Sequence, residues 1–282
     1  MSVLLESRAL RHVYPGGHPG LQDCSLAVRA GSRNALLGGN GSGKTTWLMH
    51  CNGLLQPSAG SVHFAGAPLA YGRAELHALR RRVGLVFQNP EQQLFSANVA
   101  EDVSFGPLNL GLPEAEVRQR VADALAAVGM QEAAQTPIHR LSFGQKKRVC
   151  LAGVLAMQPE LLLLDEPMAG LDAAMQDDLL ALLENLTARG ITIILSTHDI
   201  DFAYRWADAI HLLAAGRCVA SFASADLAQH AEILHAAGQR LPAVLAVQEA
   251  LAQQGLSFSR PARSLPDLLS GLAALPSSSE KS

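Results

Sequence analysis

The feature that most constrains this chain is a glycine-rich octapeptide near its N-terminus: Gly38-Gly39-Asn40-Gly41-Ser42-Gly43-Lys44-Thr45. It follows the apolar segment 35–37 and precedes a segment predicted to be helical from Lys44 to near Gly53. Glycines let backbone N–H groups converge on phosphate oxygens, and the helix N-terminus adds positive potential. An ordinary Gly-rich turn is the alternative, but the Lys-Thr pair and the strand-loop-helix context favour a phosphate-binding loop. We expect Lys44 to contact the β- and γ-phosphates and Thr45 to bind Mg²⁺.

A second signal is an apolar run that ends in two adjacent carboxylates, Leu161-Leu162-Leu163-Leu164-Asp165-Glu166. A desolvated pair of acids needs a cation or another partner, so a purely structural role is less plausible for both than for either alone. Beside a phosphate-binding loop, Asp165 is expected to hold Mg²⁺ and Glu166 to activate water.

A third segment places Ser142, Phe143, Gly144 and Gln145 at the start of a predicted helix. A Ser N-cap followed by Gly is a common structural way to begin a helix. A polar helix N-terminus that carries a glycine is also suited to binding a γ-phosphate. Taken alone, the segment does not decide between these interpretations.

The composition narrows the class of protein. Among 282 residues, 22 Lys+Arg against 25 Asp+Glu give a net charge of −3, which argues against a protein that mainly binds nucleic acid. Hydrophobic residues make up 49% of the chain, enough for a large core. The N-terminal segment lacks the apolar core of a signal peptide, and the longest uncharged stretch, 45–72, is too rich in Gly, Pro and amides to span a membrane. The four scattered cysteines are therefore expected to be reduced thiols in the cytosol.

The order of predicted elements indicates an α/β fold. Strands are predicted at 3–14, 21–28, 34–37 and 61–65, then at 83–87, 161–164, 191–196, 209–213 and 218–222. Helices are predicted at 73–82, across much of 89–159 with breaks at Pro107, 111–113 and Pro137, at 175–189 and at 199–207. Apolar strands that alternate with helices imply a parallel sheet covered on both faces.

Together these segments resemble the ATP-binding cassette (ABC) ATPases. The matching segments are the Walker A motif at 38–45, the Q-loop Gln88, the signature at 141–145, the Walker B acids, the D-loop at 170–172 and the H-loop His198. Their order and spacing match from about residue 3 to residue 222. The usual signature has Gly where Phe143 stands, and this Phe resembles the energy-coupling-factor branch, within it the CbiO-type ATPases of cobalt importers.

The resemblance implies an organisation of the chain. It predicts a P-loop NTPase fold with a parallel core sheet, an antiparallel β lobe largely from residues 1–85 and a helical lobe across about 89–160. The ATPase domain is expected to span 1–222, followed by a helical extension over 223–275 that adds a dimer contact, and a frayed tail over 276–282.

The resemblance also implies roles for further residues. Tyr14 is expected to stack on adenine, although a core tyrosine is an alternative. Gln88 is expected to sense Mg²⁺ and the attacking water, and His198 to bond the γ-phosphate, whereas an amide cap and a satisfied core histidine are the structural alternatives. Thr46 joins the residues that bind nucleotide, and Asp172 is expected to contact the facing subunit. The basic runs at 80–82 and 146–148 are interpreted as solvated helix faces.

The implied partners are a second copy of the chain and integral membrane transporter subunits. In the family each ATP lies between the Walker A motif of one subunit and the signature of another. Membrane subunits are expected to dock near 88–106, with apolar anchors and acidic partners drawn from Leu94, Phe95, Phe105, Glu91, Glu101 and Asp102. A buried or merely solvated role for these side chains is the alternative. Neither nucleic acid nor a lipid anchor is expected, and the location is the cytoplasmic face of the inner membrane.

Three alternatives to a cobalt importer remain. A non-transport cassette would carry a long coiled coil or a second cassette, and a regulatory module would lack Glu166 or the signature. An importer of nickel, a vitamin or another substrate is the hardest to exclude, since no residue is expected to touch the cargo.

Overall fold

A computed structural model, which describes residues 2–256, 258 and 261–273, contains two β-sheets. The larger sheet has the strand order β10-β9-β3-β8-β7-β6 and is parallel except for β10 at its edge. Its strands are β3 (Arg33–Leu37), β6 (Val83–Val86), β7 (Leu161–Leu164), β8 (Thr192–Thr197), β9 (Ala209–Ala214) and β10 (Arg217–Ala223). The predicted α/β class with a parallel core sheet is confirmed.

The smaller sheet is antiparallel, with the order β2-β1-β4-β5. Its strands are β1 (Val3–Val13), β2 (Pro19–Arg29), β4 (Ala59–Phe64) and β5 (Ala67–Pro68). The N-terminal 85 residues therefore do not all serve this lobe, because β3 and β6 belong to the core sheet. Strand β5, only two residues long, gave no signal in the sequence.

Strand β7 shows why the core strands are apolar throughout. Leu162 and Leu164 pack into the cluster on one face of the sheet, whereas Leu161 and Leu163 pack into the cluster on the other. All four are buried. Successive side chains of a strand point to opposite faces, so a strand covered on both sides needs apolar residues at every position.

Ten α-helices surround the sheets in the described part of the chain. They are α1 (Lys44–Cys51), α2 (Arg73–Arg82), α3 (Val99–Asn109), α4 (Glu114–Ala127), α5 (Phe143–Leu155), α6 (Ala173–Ala188), α7 (Ile200–Trp206), α8 (Ala231–Ala236), α9 (Ala243–Gln253) and α10 (Leu265–Ala273). Short 3₁₀ turns lie at Pro90–Gln92, Gln131–Ala133, Ile138–Arg140 and Ser224–His230.

The break predicted at Pro107 is wrong, because Pro107 lies buried inside α3. The helix continues for two residues beyond it, to Asn109. Because proline has no N–H, the carbonyl of Val103, four residues earlier, lacks its usual α-helical donor.

Helices α8, α9 and α10 follow the ATPase core and lie in the segment predicted as an extension. Leu227, Leu234 and Leu245 join the same apolar cluster as the core sheet, so this segment packs on the core. The predicted tail at 276–282 and the end of the extension at 274–275 lie outside the described residues. No helix within the described ranges combines the length and the apolar character needed to span a membrane.

Parallel strands bring the functional segments together. Strands β3, β6, β7 and β8 run in one direction, so the residues after their carboxyl ends meet at one edge of the sheet. After these ends come the glycine-rich loop, Gln88, the acids Asp165-Glu166 and His198. Ligands of open α/β sheets bind at this edge.

A buried histidine in the core sheet predicts sensitivity of stability to acid. His211 on β9 is 3% exposed; its Nδ1 lies 2.8 Å from Ser221 Oγ and its Nε2 lies 3.3 Å from Asn34 Oδ1. Burial lowers the pKa of His211 to about 4. Below pH 6.5 this histidine therefore binds a proton in the unfolded chain but stays neutral in the folded chain. The free energy of unfolding consequently falls as the pH drops from 6.5 towards 4.

Removing this histidine should flatten the pH dependence of stability. Between pH 7 and pH 5 the His211 contribution amounts to about 2 kcal/mol of unfolding free energy. In urea titrations at the two pH values, His211→Gln should lose that much less stability on acidification than the wild-type chain. His235→Gln, at an exposed histidine, is the matched control. Equal acid sensitivity of His211→Gln and wild type would contradict the prediction.

Candidate active site

The glycine-rich loop joins β3 to α1 in a conformation that requires its glycines. Gly41 and Gly43 have φ values of 75° and 105°, where residues with a side chain are strained. At Gly38 an added Cβ would lie 2.4 Å from Leu213 O and 2.5 Å from Ser42 Oγ. Ser42 Oγ is buried and has no hydrogen-bond partner, so the loop presents a polar atom that awaits a ligand.

The ammonium of Lys44 lies inside the curve of this loop. Lys44 is 7% exposed, and its Nζ donates to Gly38 O at 2.8 Å and to Gly39 O at 3.2 Å. The same Nζ lies 3.4 Å from Glu166 Oε1. A cation held by carbonyls and one carboxylate is placed to exchange these partners for phosphate oxygens, which are stronger acceptors.

Asp165 is held by two hydroxyl groups, one from the start of α1 and one from β8. Its Oδ2 accepts from Thr45 Oγ1 at 2.7 Å, and its Oδ1 accepts from Ser196 Oγ at 2.6 Å. Asp165 is 4% exposed. Ser196 also accepts from the backbone N–H of Glu166 at 2.9 Å, so it positions both acids. We missed Ser196 in the sequence, although it ends the strand beside β7.

This donor set fits a divalent cation such as Mg²⁺. A buried carboxylate and an adjacent threonine hydroxyl are hard oxygen ligands, of the kind Mg²⁺ takes in small number while it keeps water and phosphate oxygens. The Glu166 carboxylate adds negative charge at the site, which the Lys44 ammonium 3.4 Å from its Oε1 offsets in part.

Glu166 is presented from a strained backbone. Its φ of 44° is uncommon for a residue with a side chain, and such conformations persist only where surrounding contacts enforce them. Its Oε2 lies 3.1 Å from His198 Nδ1, and the Glu166 side chain is 11% exposed. Thus His198, which was expected to bond a phosphate, contacts the carboxylate of Glu166, beside Lys44.

Tyr14 lies at the margin of the loop helix and is half-exposed. Its hydroxyl is 2.9 Å from Thr46 Oγ1. Its ring packs edge to face against the His12 ring, with the two centroids 4.6 Å apart. The core interpretation of Tyr14 therefore does not hold, since its ring reaches solvent beside α1. Thr46 contributes a hydroxyl to this pair.

The signature residues contact a different part of the chain. Ser142 caps α5 by accepting from Gln145 N at 3.2 Å, and the Gln145 side chain accepts in turn from Ser142 N at 2.9 Å. Phe143 lies against Gly170, where a Cβ would be 2.8 Å from the ring, and Gly144 lies against Met175. The structure thus places the signature beside the D-loop of its own chain, where Asp172 caps α6.

The interpretation of the two basic runs as solvated faces is wrong for Lys147, which is buried. Lys147 is 8% exposed, and its Nζ donates to Ala169 O at 2.6 Å, Pro167 O at 2.9 Å and Glu166 O at 3.4 Å. Lys146 pairs with Glu91 at 2.9 Å, and Arg148 pairs with Asp178 at 2.8 Å. In the other run, Arg80 donates to Asn52 O and Gly53 O, and Arg82 pairs with Glu160.

The segment predicted to dock a membrane subunit is only partly available. Phe95 and Phe105 are 64% and 48% exposed and meet edge to face. Leu94, however, packs on the core, and Asp102 accepts from the backbone N–H groups of Phe95 and Ser96. Glu91 is the partner of Lys146, and Glu101 accepts from Asn98 Nδ2. These acids therefore have local structural contacts, and their role in docking stays a prediction. Gln88 is exposed at the start of this segment.

Comparison with known proteins places this geometry in a family. The ABC transporter family model matches residues 21–169. The cobalt import ATP-binding protein CbiO of Rhodobacter capsulatus is 47% identical over 274 residues, which cover 97% of each chain. The energy-coupling factor transporter ATP-binding protein EcfA of Methanocaldococcus jannaschii is 44% identical over 248 residues, which cover 88% of this chain and 89% of the relative.

Solved structures agree with this assignment. CbiO1 from Clostridium perfringens, part of the ABC transporter complex CbiONQ, is 40% identical with a TM-score of 0.75, over 88% of this chain and all of that one. A dimeric bacterial ABC transporter cassette is 26% identical with a TM-score of 0.71, over 78% of this chain and 99% of that one. The chain is an ATPase that belongs to the ABC transporter family, within its energy-coupling-factor branch of ATP-binding subunits.

Proposed function

We propose that the chain hydrolyses ATP at the edge of its core sheet and thereby energises a membrane importer of cobalt ions. The observation that supports the cargo is the 47% identity to a cobalt import ATP-binding protein along 97% of both chains. Nickel or a vitamin is the alternative cargo within the same branch.

In the proposed reaction, water attacks the γ-phosphorus of ATP and the bond to the β-phosphate oxygen breaks, which yields ADP and phosphate. Glu166 polarises the water, and its carboxylate, which lies against Lys44 and His198, accepts the water proton. His198 orients the same carboxylate, and Lys44 neutralises charge on the phosphates. Catalysis then rests on positioning and electrostatics.

Mg²⁺ is the proposed cofactor. Thr45 and Asp165 would hold it, with Gln88 contributing from the end of β6. When bound, the ion neutralises charge on the β- and γ-phosphate oxygens. Binding of the ion would replace the hydrogen bond between Thr45 and Asp165.

The cargo is tested in the assembled transporter, because the chain itself is not expected to touch the ion. The experiment co-purifies the chain with its membrane subunits in mild detergent, reconstitutes the complex in vesicles and measures ATP-dependent uptake of radioactive cobalt. Uptake that excess nickel fails to compete supports cobalt. ATP-driven uptake of nickel alone, or of neither ion, contradicts it, and Glu166→Gln complexes provide the background rate.

Docking is proposed at an apolar groove between α2 and α3. Leu54, Phe87, Phe95, Phe105 and Leu110 line the groove, which begins directly beside Gln88. An amphipathic helix of a membrane subunit fits such a groove by inserting apolar side chains. Because Gln88 follows β6 at the same edge of the sheet as the proposed phosphate site, occupancy of that site can be transmitted to the groove. The chain would then lie on the cytoplasmic face of the membrane.

The two exposed phenylalanines should dominate this docking. Replacing Phe95 and Phe105 together with Ser should remove most co-purification of the membrane subunits, since buried aromatic anchors each contribute about 2 kcal/mol or more to an interface. ATPase activity of the isolated chain should persist. Val219→Ser, at an exposed apolar residue on β10, is the matched control. Normal assembly and transport with the double variant would place the docking surface elsewhere.

A further inference from the structure

Lys147 is the one buried ammonium in the described chain, besides Lys44, and the proposed reaction gives it no role. It lies on α5, five residues after Ser142, which caps that helix. Three carbonyls of one short segment accept its hydrogen bonds: Glu166, Pro167 and Ala169. Among the described residues no carboxylate is hydrogen-bonded to this Nζ, so the ammonium is held by backbone carbonyls.

The gathered segment begins with the proposed catalytic glutamate. Glu166 has a positive φ, a conformation that persists only where surrounding contacts enforce it. The peptide N–H of Glu166 donates to Ser196 Oγ on the neighbouring strand. Lys147 therefore restrains the carbonyl side of Glu166, a residue with a strained backbone whose carboxylate must face the attacking water.

The neighbours of Lys147 favour one position of its side chain. Its Nζ lies 5.3 Å from the centroid of the Phe143 ring, and that ring packs against Gly170. Gly144, one turn before Lys147, packs against Met175 at the start of α6. The start of α5 and the segment 166–175 are thus held as one unit, with the ammonium at its centre.

We propose that Lys147 is a positioning residue that fixes Glu166 for hydrolysis by tying its loop to the signature helix. The inference rests on the proposed role of Glu166. In a dimer whose signature faces the partner's nucleotide, Ser142 of a chain would contact the ATP bound by its partner. Glu166 of the same chain would act on the ATP bound by its own glycine-rich loop. Lys147 then links the two sites through a single side chain, since one helix holds both the cap and the ammonium.

The test compares variants that differ in hydrogen-bond donors. Lys147→Met removes all donors and leaves buried carbonyls unpaired, whereas Lys147→Gln supplies two N–H donors on a shorter side chain. Full-length chains are assayed for kcat, KM for ATP and affinity for a fluorescent ATP analogue. We expect kcat to fall about 10-fold or more in Lys147→Met and about 3-fold in Lys147→Gln, with KM and affinity within about 3-fold of wild type.

Controls separate this effect from folding and from the proposed function. Lys146→Met, which breaks the neighbouring surface pair with Glu91, should keep the wild-type kcat. Circular dichroism sets an assay temperature at which each variant is folded, and if Lys147→Met does not fold, Lys147→Gln decides. If Lys147→Met folds and has the wild-type kcat, the inference is overturned. If only Lys147→Gln folds, a wild-type kcat in that variant overturns it. An equal change in KM and kcat also overturns it. A wild-type chain without ATPase activity would instead refute the proposed function.

Discussion

Glu166→Gln should bind Mg-ATP as the wild-type chain does, but hydrolyse it at least about 100-fold more slowly, the typical loss on removing one preorganised catalytic group. The reason is chemical, since the amide keeps the shape of the side chain but cannot accept a proton from water. It also loses the charge that lies 3.1 Å from His198 Nδ1 and 3.4 Å from Lys44 Nζ. Phosphate release under saturating ATP measures the effect.

Two further variants make the result specific. Lys44→Ala should weaken nucleotide binding by about 10- to 100-fold, because charge-assisted hydrogen bonds to the phosphates are lost. Glu160→Gln changes a half-exposed carboxylate that pairs with Arg82 at the opposite end of β7, and it should hydrolyse ATP normally. If Glu166→Gln turned over at the wild-type rate, another group would have to be the base.

Much of this site could be predicted from the sequence because its parts are local. Gly41 and Gly43 are needed for their positive φ, which is a local requirement, and the position of the loop between a strand and a helix can be recognised from the sequence. Asp165 and Glu166 follow a strand of four leucines, and such a continuous apolar run predicts a strand buried on both faces. Parallel strands then bring such segments to one edge whatever the order of the strands.

Other features depend on packing that the sequence does not display. The run Lys146-Lys147-Arg148 has the composition of a solvated face, yet consecutive helical residues point in directions about 100° apart. Lys147 shares its face with the buried residues Gly144, Cys150 and Leu151, spaced by three or four positions. That spacing was present in the sequence, but the carbonyls that accept from Lys147 lie some 20 residues away and become visible only in the fold.

The acids of the docking segment illustrate the same limit. Asp102 and Glu101 suggest a charged surface, but their carboxylates accept from Phe95 N, Ser96 N and Asn98 Nδ2. A side chain that caps nearby backbone cannot be distinguished from a free charge by composition alone. The exposed apolar pair Phe95 and Phe105 is therefore the better guide to the partner.

Assembly of two copies is the second prediction with a large expected effect. Each chain carries a phosphate-binding loop and a signature, and the signature residues contact the segment around Gly170 and Met175 of their own chain. Ser142 and Phe143 are exposed at the N-terminus of α5, which suits them to meet a phosphate from outside the chain. Two copies related by a two-fold axis would complete two equivalent sites.

Without nucleotide this interface should be weak, because the γ-phosphate is the group that the facing signature binds. In sedimentation velocity, Glu166→Gln should be monomeric without nucleotide and dimeric with Mg-ATP, because the variant hydrolyses the bound ATP too slowly to release the dimer. Adding Lys44→Ala to Glu166→Gln should return it to a monomer. Strict monomers at high protein concentration would contradict the prediction and favour a paired, non-identical ATPase.

The C-terminal helices are expected to add a second contact that does not depend on ATP. Leu265 and Leu269 are 59% and 57% exposed and lie four residues apart, so they form one apolar face of α10. Replacing both with Ser should lower dimer affinity about 10-fold or more while leaving its dependence on ATP intact, because complete burial of a leucine contributes about 1.5–3 kcal/mol and each 1.4 kcal/mol is about tenfold in affinity. Loss of the ATP response in that variant would instead show that the extension controls the nucleotide-bound interface.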